Sequence, residues 1–166
     1  MIALVRVDNR LLHGQILETW VPRLHAAAVV VADDDAAASP LARAAMTLAL
    51  PPDLPATVQA IAEVDWAGLA ASAEPVIVLV REVADLAHAA AAGLTPERAR
   101  RVNLGNVHYA QGRSPVTPSV FLSEAEVTQV LALARAGFDV EARAIPSDAP
   151  VGTQEIERRY KAARER

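Results

Sequence analysis

Apolar and polar positions switch between two periods along the chain, and the switches mark its elements. Ile2-Ala3-Leu4-Val5 is a continuous apolar run and reads as a short buried strand. After it, Ile16, Leu17, Trp20 and Val21 recur at helical spacing until Pro22 ends the pattern. Residues 27–32 form a second buried strand that stops at Asp33-Asp34-Asp35. Ser39-Pro40 opens a helix, serine as N-cap and proline at the first helical position, running through Leu41, Ala45 and Leu48 to Pro51-Pro52. Residues 58–61 predict a weaker strand, and residues 62–71 a helix with Trp66 and Leu69 on its buried side. Val76-Ile77-Val78-Leu79-Val80 is the clearest strand, as expected of one covered on both faces. The helix over residues 83–92 ends at Gly93, a natural residue for the left-handed position after a helix.

Val102-Asn103-Leu104 leads into a loop, Gly105-Asn106-Val107-His108-Tyr109-Ala110-Gln111-Gly112-Arg113. Val120-Phe121-Leu122 is a further short strand, and Ser123 with Glu126 forms a capping box for a helix that stops at Gly137. Residues 138–145 alternate with period two and predict a half-exposed strand at a sheet edge. The tail from Thr153 to Arg166 predicts a mixed-charge helix. Strands alternating with helices imply an α/β fold: a doubly wound, mostly parallel open sheet of about six or seven strands with helices on both faces. Residues 1–166 read as one domain, with no internal repeat.

Candidate chemistry concentrates between the first strand and the first helix, in Arg6-Val7-Asp8-Asn9-Arg10-Leu11-Leu12-His13-Gly14-Gln15. Open α/β sheets bind ligands at the carboxyl ends of their strands, where this loop lies. Histidine is a nucleophile able to form a covalent intermediate, and the planar arginine fork matches phosphate oxygens. Asp8 can fix an imidazole tautomer or hold an arginine. Gly14, next to His13, permits a backbone conformation or close approach that a side chain would hinder. The set suits a histidine that carries a phosphoryl group; the bland alternative is a surface loop whose Arg and Asp merely pair. In the second loop, glycine exposes backbone N–H groups and Arg113 adds a cation, properties that would let it close over a phosphoryl group. His25 and His88 sit in a turn and mid-helix, and neither enters the site.

Arg6 through Gln15 resembles the N-terminal signature of the mannose/fructose/sorbose-type enzyme IIB component of the bacterial sugar phosphotransferase system (PTS). That signature is Arg, an aliphatic residue, Asp, a polar residue, Arg, two aliphatics, then His-Gly-Gln, and every position matches. Trp20, the Asp33-Asp34 pair, the loop from Gly105 and the segment from Ser119 to Pro146 are similar to the family's too. The resemblance implies a phosphoryl carrier that accepts from an enzyme IIA phosphohistidine on His13. It then passes the group to a sugar held in a membrane permease of IIC and IID components. It implies His13 as nucleophile and Arg10 as the clamp on phosphoryl oxygens, with Asp8 beside them in the catalytic set and Arg6 binding the phosphoryl group or supporting the loop. Asp8 and Arg6 are expected mainly to shape the loop, with contact to the phosphoryl group open to either. Gly14, Gln15, Asp33, Asp34, Asn106, His108 and Arg113 are expected to bind the phosphoryl group or support the loop. No metal or organic cofactor is implied, because the phosphohistidine is itself the carrier. Two rival classes are a phosphorylation-dependent regulatory module without a transported sugar, and a small-molecule binding domain with a pocket between Asp33–Asp35 and the Gly105 loop.

Composition narrows this further. A formal charge of -4 and a pI near 5.5 argue against a nucleic-acid partner. The chain holds no cysteine, which removes thiol and disulfide chemistry. Apolar content of 52% with only 4% aromatics predicts an aliphatic core. No stretch reads as a signal peptide or a membrane span, so the expectation is a cytoplasmic protein associated peripherally with the permease. Homo-oligomerisation is left open by the sequence.

Overall fold

The computed structural model describes residues 1–165, and its sheet is organised around the first strand. β1 (Ile2–Asp8) is buried from Leu4 to Asp8 and pairs in parallel with β4 (Val76–Val80) on one side and β5 (Arg101–Asn106) on the other. Beyond β4 lie β2 (Ala28–Ala32) and β3 (Ala56–Gln59); beyond β5 lie β8 (Asp139–Ala142) and β9 (Val151–Gly152). The seven-stranded order is therefore β3-β2-β4-β1-β5-β8-β9, parallel throughout except for the β8–β9 pair. β6 (Ser114–Thr117) and β7 (Val120–Leu122) form a separate antiparallel pair. The continuous apolar strands are explained by cover on both faces. Val5 and Val7 pack with Val78, Val80 and Leu86 on one face, while Leu4 packs with Ile77, Leu79, Ile16 and Trp20 on the other. Each such side chain contributes about 1.5–3 kcal/mol on burial.

The helices are α1 (Val21–Leu24), α2 (Asp34–Ala38), α3 (Pro40–Leu48), α4 (Trp66–Ala71), α5 (Val83–Ala91), α6 (Glu124–Arg135) and α7 (Thr153–Arg164). Most of the expected signals hold: Ser39 caps α3, Ser123 and Glu126 form the capping box of α6, and Gly93 and Gly137 take positive φ just past their helices. α7 matches the charged tail, although Arg166 lies outside the described residues. Among the described residues, no helix is long and apolar enough to cross a membrane.

Several local expectations are overturned. Pro22 does not end the first helix: a π-helical segment, Ile16–Trp20, precedes it, and the helix continues to Leu24. Proline lacks an N–H, but at the start of α1 none is needed, because Val21 N–H closes the π turn onto Ile16. The stop is His25, in the left-handed region at φ 50°. The helix expected over residues 62–71 is broken into a 3-10 turn, Ile61–Glu63, and α4, because Asp65 caps Gly68 N–H and restarts it. β3 begins two residues before its expected place, and α2, β6 and β9 carried no legible signal. β8 is not an edge strand: β9 pairs on its outer side. Its period-two pattern arises because Val140 and Ala142 face the core while Glu141 pairs with Arg143 on the other face.

The chain leaves β1 toward β2 and leaves β5 toward β8, so the strand order reverses between β1 and β5. That reversal is where such sheets open a crevice for ligands. Asp8 and Asn106 stand opposite each other there, at the last step of the β1–β5 ladder.

Candidate active site

Asp8 ends β1 with a fully buried side chain and gathers the surrounding groups. Its Oδ2 accepts from Arg6 Nη2 at 2.9 Å and lies 3.0 Å from His13 Nε2. Its Oδ1 accepts from Arg10 N–H at 3.0 Å, with Arg10 Nε at 3.4 Å and Asn106 Nδ2 at 3.5 Å. Burial pushes the Asp8 carboxyl up, but the His13 hydrogen bond, the Arg6 charge and the Arg10 N–H outweigh it and hold it at about 2. At neutral pH Asp8 is therefore an ionised, acceptor-only group.

Arg6 is the counter-charge beneath it. Its guanidinium is fully buried, donates to Asn103 Oδ1 at 2.6 Å and to the Arg143 carbonyl at 3.2 Å, and lies 5.4 Å from the Trp20 ring centroid. Burial pushes Arg6 below its ordinary value against the pull of Asp8, yet a guanidinium stays charged across the working range. Gly105 makes the space: a Cβ there would lie 1.8 Å from Arg6 Cζ. The reason for glycine at 105 is thus close approach within a strand, rather than the exposed backbone N–H groups expected of a loop. Trp20 Nε1 donates to the Ala144 carbonyl at 3.0 Å, and Arg143 Cζ also lies 5.4 Å from its ring.

His13 sits immediately before the helix, with its carbonyl accepting from Ile16 and Leu17 N–H. Its side chain is 16% exposed. Because Asp8 can only accept, His13 Nε2 carries the proton, and in the neutral ring Nδ1 holds the lone pair. Among the described residues nothing hydrogen-bonds Nδ1. Of the N–H groups in the helix's first turn, those of Gly14 and Gln15, next to His13, have no acceptor among the described residues, a setting that favours an anion. Gly14 has no positive φ, and a Cβ there would meet only Glu18 Oε1, at 3.8 Å. The backbone freedom expected of Gly14 is not used; Leu11, at φ 55°, makes the sharp turn. Arg10 is 43% exposed and donates from Nη2 to Gln15 Oε1 at 3.0 Å, which orients its fork beside Asp8 and His13.

The second loop contributes less charge than its sequence suggested. Asn106 Nδ2 reaches His108 Nε2 at 2.9 Å, so His108 borders the Asp8 cluster through Asn106. Arg113 is not a free cation: it donates to Glu126 at 2.6 and 3.0 Å, to Glu82 at 2.8 Å and to the His108 carbonyl at 2.9 Å. Of the two roles expected for it, the geometry puts Arg113 in loop support. Asp33 caps α2 and holds Arg81 through two bonds of 2.8 Å, while Asp34 accepts from Ile61 N–H. Among the described residues neither hydrogen-bonds to the His13 loop; Asp33 is linked to it through Arg81, whose carbonyl accepts from Asn9 Nδ2 at 2.9 Å. A cavity of about 220 Å³ does open at Asp33–Asp35, but its other walls are Arg81, Glu82, Asp85 and His88, and no residue of the Gly105 loop lines it. Among the described residues, no cluster of His, Cys, Asp and Glu could hold a metal ion. Sequence reasoning missed Asn103, Glu82, Glu126 and the work of Asn9. A glycine inside a strand was the one available signal, pointing to a buried group facing Gly105.

A family model described as PTS system sorbose subfamily IIB component matches residues 2–165. N-acetylgalactosamine-specific phosphotransferase enzyme IIB component 2 of Escherichia coli (strain K12) is 27% identical over 151 residues, covering 90% of this chain and 94% of that protein. The PTS system fructose-specific EIIB component of Bacillus subtilis (strain 168) is 28% identical over 151 residues, covering 89% and 90%. The crystal structure of manxB from Thermoanaerobacter tengcongensis superposes with a TM-score of 0.83 at 26% identity, over 96% of each chain.

Proposed function

This chain belongs to the sorbose subfamily of PTS IIB components, and from that premise we propose that His13 carries the phosphoryl group, on Nδ1. A IIB component of this family takes a phosphoryl group from an enzyme IIA and passes it to a sugar. The observation that carries the assignment is the 3.0 Å contact between His13 Nε2 and a buried, ionised Asp8, which leaves the Nδ1 lone pair unengaged.

In the accepting step, the Nδ1 lone pair attacks phosphorus in line, and the bond from phosphorus to the donor imidazole breaks. His13 keeps its Nε2 proton, so the phosphorylated ring is cationic and Asp8 balances it. In the donating step, the sugar hydroxyl attacks phosphorus, the bond from phosphorus to Nδ1 breaks, and a ring already protonated at Nε2 departs as neutral imidazole, whose freed Nδ1 lone pair can take the hydroxyl proton. Asp8 thus favours both directions of transfer through one hydrogen bond. Phosphoryl transfer asks mainly for positioning and for neutralisation of the equatorial oxygens. Arg10, oriented by Gln15, and the N–H groups of Gly14 and Gln15 supply that neutralisation. Arg6 acts beneath them as the fixed charge that keeps Asp8 ionised. On this reading the sugar is presented by a membrane permease of IIC and IID components, and the chain docks against its cytoplasmic face.

The test is acceptance of radiolabelled phosphate from a phosphorylated IIA. Wild-type chain acquires an acid-labile label that maps to His13, and His13→Ala acquires none while remaining folded. Label entering His13→Ala would reject the assignment.

A further inference from the structure

Three loops meet around the site, and one carboxylate divides itself between them. Asn9, between Asp8 and Arg10, donates from Nδ2 to Glu82 Oε1 at 3.0 Å, and its Oδ1 accepts from His108 N–H. Arg113 donates from Nη2 to Glu82 Oε2 at 2.8 Å and from Nη1 to the His108 carbonyl at 2.9 Å. Asn9, Glu82, Arg113 and His108 therefore form a closed ring of hydrogen bonds. The ring joins the loops that follow β1, β4 and β5, three strands that are neighbours in the sheet. Glu82 is itself fixed, because it caps α5 and its N–H donates to Asp85 Oδ2 at 2.9 Å. Glu126 anchors Arg113 to the start of α6 but makes no bond to the His13 loop among the described residues.

We propose that Glu82 is a positioning residue for phosphoryl transfer, setting the distance between the His13 loop and the His108–Arg113 loop by splitting its carboxylate between Asn9 and Arg113. The proposal rests on His13 being the phosphoryl carrier. The spacing matters because Asn106, the last residue of β5, borders Asp8 and links it to His108 at the start of the far loop. On the near side, Asn9 directly precedes Arg10, so the hold on Asn9 also sets the direction of the Arg10 fork. When the bridge is lost, the nucleophile and its tautomer remain, and the cleft that aligns the incoming phosphoryl group loosens.

Glu82→Gln tests this: its amide offers one oxygen, so one arm of the bridge breaks whichever way it lies. Single-turnover acceptance from radiolabelled phospho-IIA is measured across donor concentrations, with Val127→Ala, in the α6 core, as a destabilised control. In Glu82→Gln the label still maps to His13. Its maximal rate falls about tenfold, short of the roughly hundredfold that a displacement of about 1 Å can cost. The half-saturating donor concentration is unchanged, and Val127→Ala transfers at the wild-type rate. Arg113→Gln, which removes the bridge from its other end, gives the same slowing, and the double variant is no slower than either single one. The proposal is overturned by a Glu82→Gln rate within twofold of wild type, by equal slowing in Val127→Ala, by additive losses in the double variant, or by an effect confined to half-saturation. Failure of the wild-type chain to label His13 would instead overturn the carrier reading, and this proposal with it.

Discussion

Asp8→Asn changes one oxygen to an amide in the most connected position of the site, and its consequences separate into stability and rate. The folded carboxyl sits at about 2 against an ordinary 3.8, a difference of about 1.8 units. At about 1.36 kcal/mol per unit, ionised Asp8 contributes about 2 kcal/mol at neutral pH. Because the folded value is the lower one, that stability is present above pH 3.8 and is lost as pH falls toward 2. Asparagine also leaves the buried Arg6 charge without its partner, which sets an upper range of about 3–5 kcal/mol. A loss of about 2–5 kcal/mol in urea unfolding at pH 7 is expected, together with a flatter acid limb between about pH 4 and pH 2. On the rate side, an amide turned to donate toward Nε2 places the proton on Nδ1 and blocks the attacking lone pair. An equivalent swap beside a catalytic histidine elsewhere costs about 10⁴-fold, so acceptance slower by roughly 10³–10⁴ is expected in protein shown to be folded. Folded Asp8→Asn accepting phosphate within tenfold of wild type would refute the tautomer argument, and an unchanged acid limb would refute the origin given for the low carboxyl value.

Gly105→Ala should be more damaging than its single methyl suggests, because the new Cβ would lie 1.8 Å from Arg6 Cζ and must displace a buried ion pair. A loss of at least about 3 kcal/mol is expected in denaturant unfolding; a loss below about 1 kcal/mol would show that the pair can relax around it. Arg10→Lys keeps the charge and loses the fork; acceptance about tenfold slower at an unchanged thermal midpoint is expected, and an unchanged rate would argue against a clamp on phosphoryl oxygens.

The legible parts of this chain are those that local chemistry decides. Continuous apolar runs marked β1, β2 and β4 because a strand covered on both faces needs nothing else. Caps and terminal glycines placed α3, α5 and α6 because orphaned helix ends must be satisfied by nearby side chains. Arg6, Asp8, Arg10 and His13 could be named together because they lie in one short stretch. Failures followed the same rule from the other side. Pro22 reads as a stop until the π turn before it is seen, and β8 reads as an edge until β9 is found beside it.

By itself, then, the amino-acid order determined an α/β sheet, an aliphatic core, and a loop of fixed charges around His13. Only the tertiary structure decided what those charges do. It sank Arg6 beneath Asp8 through a gap at residue 105, about a hundred positions away, and turned Nε2 of His13 toward the carboxylate. It also bound Arg113 to Glu82 and Glu126 rather than leaving it free. The reason is electrostatic: a side chain's charge is written in the sequence, but whether it is free or already paired depends on neighbours that only the folded sheet brings within hydrogen-bonding distance.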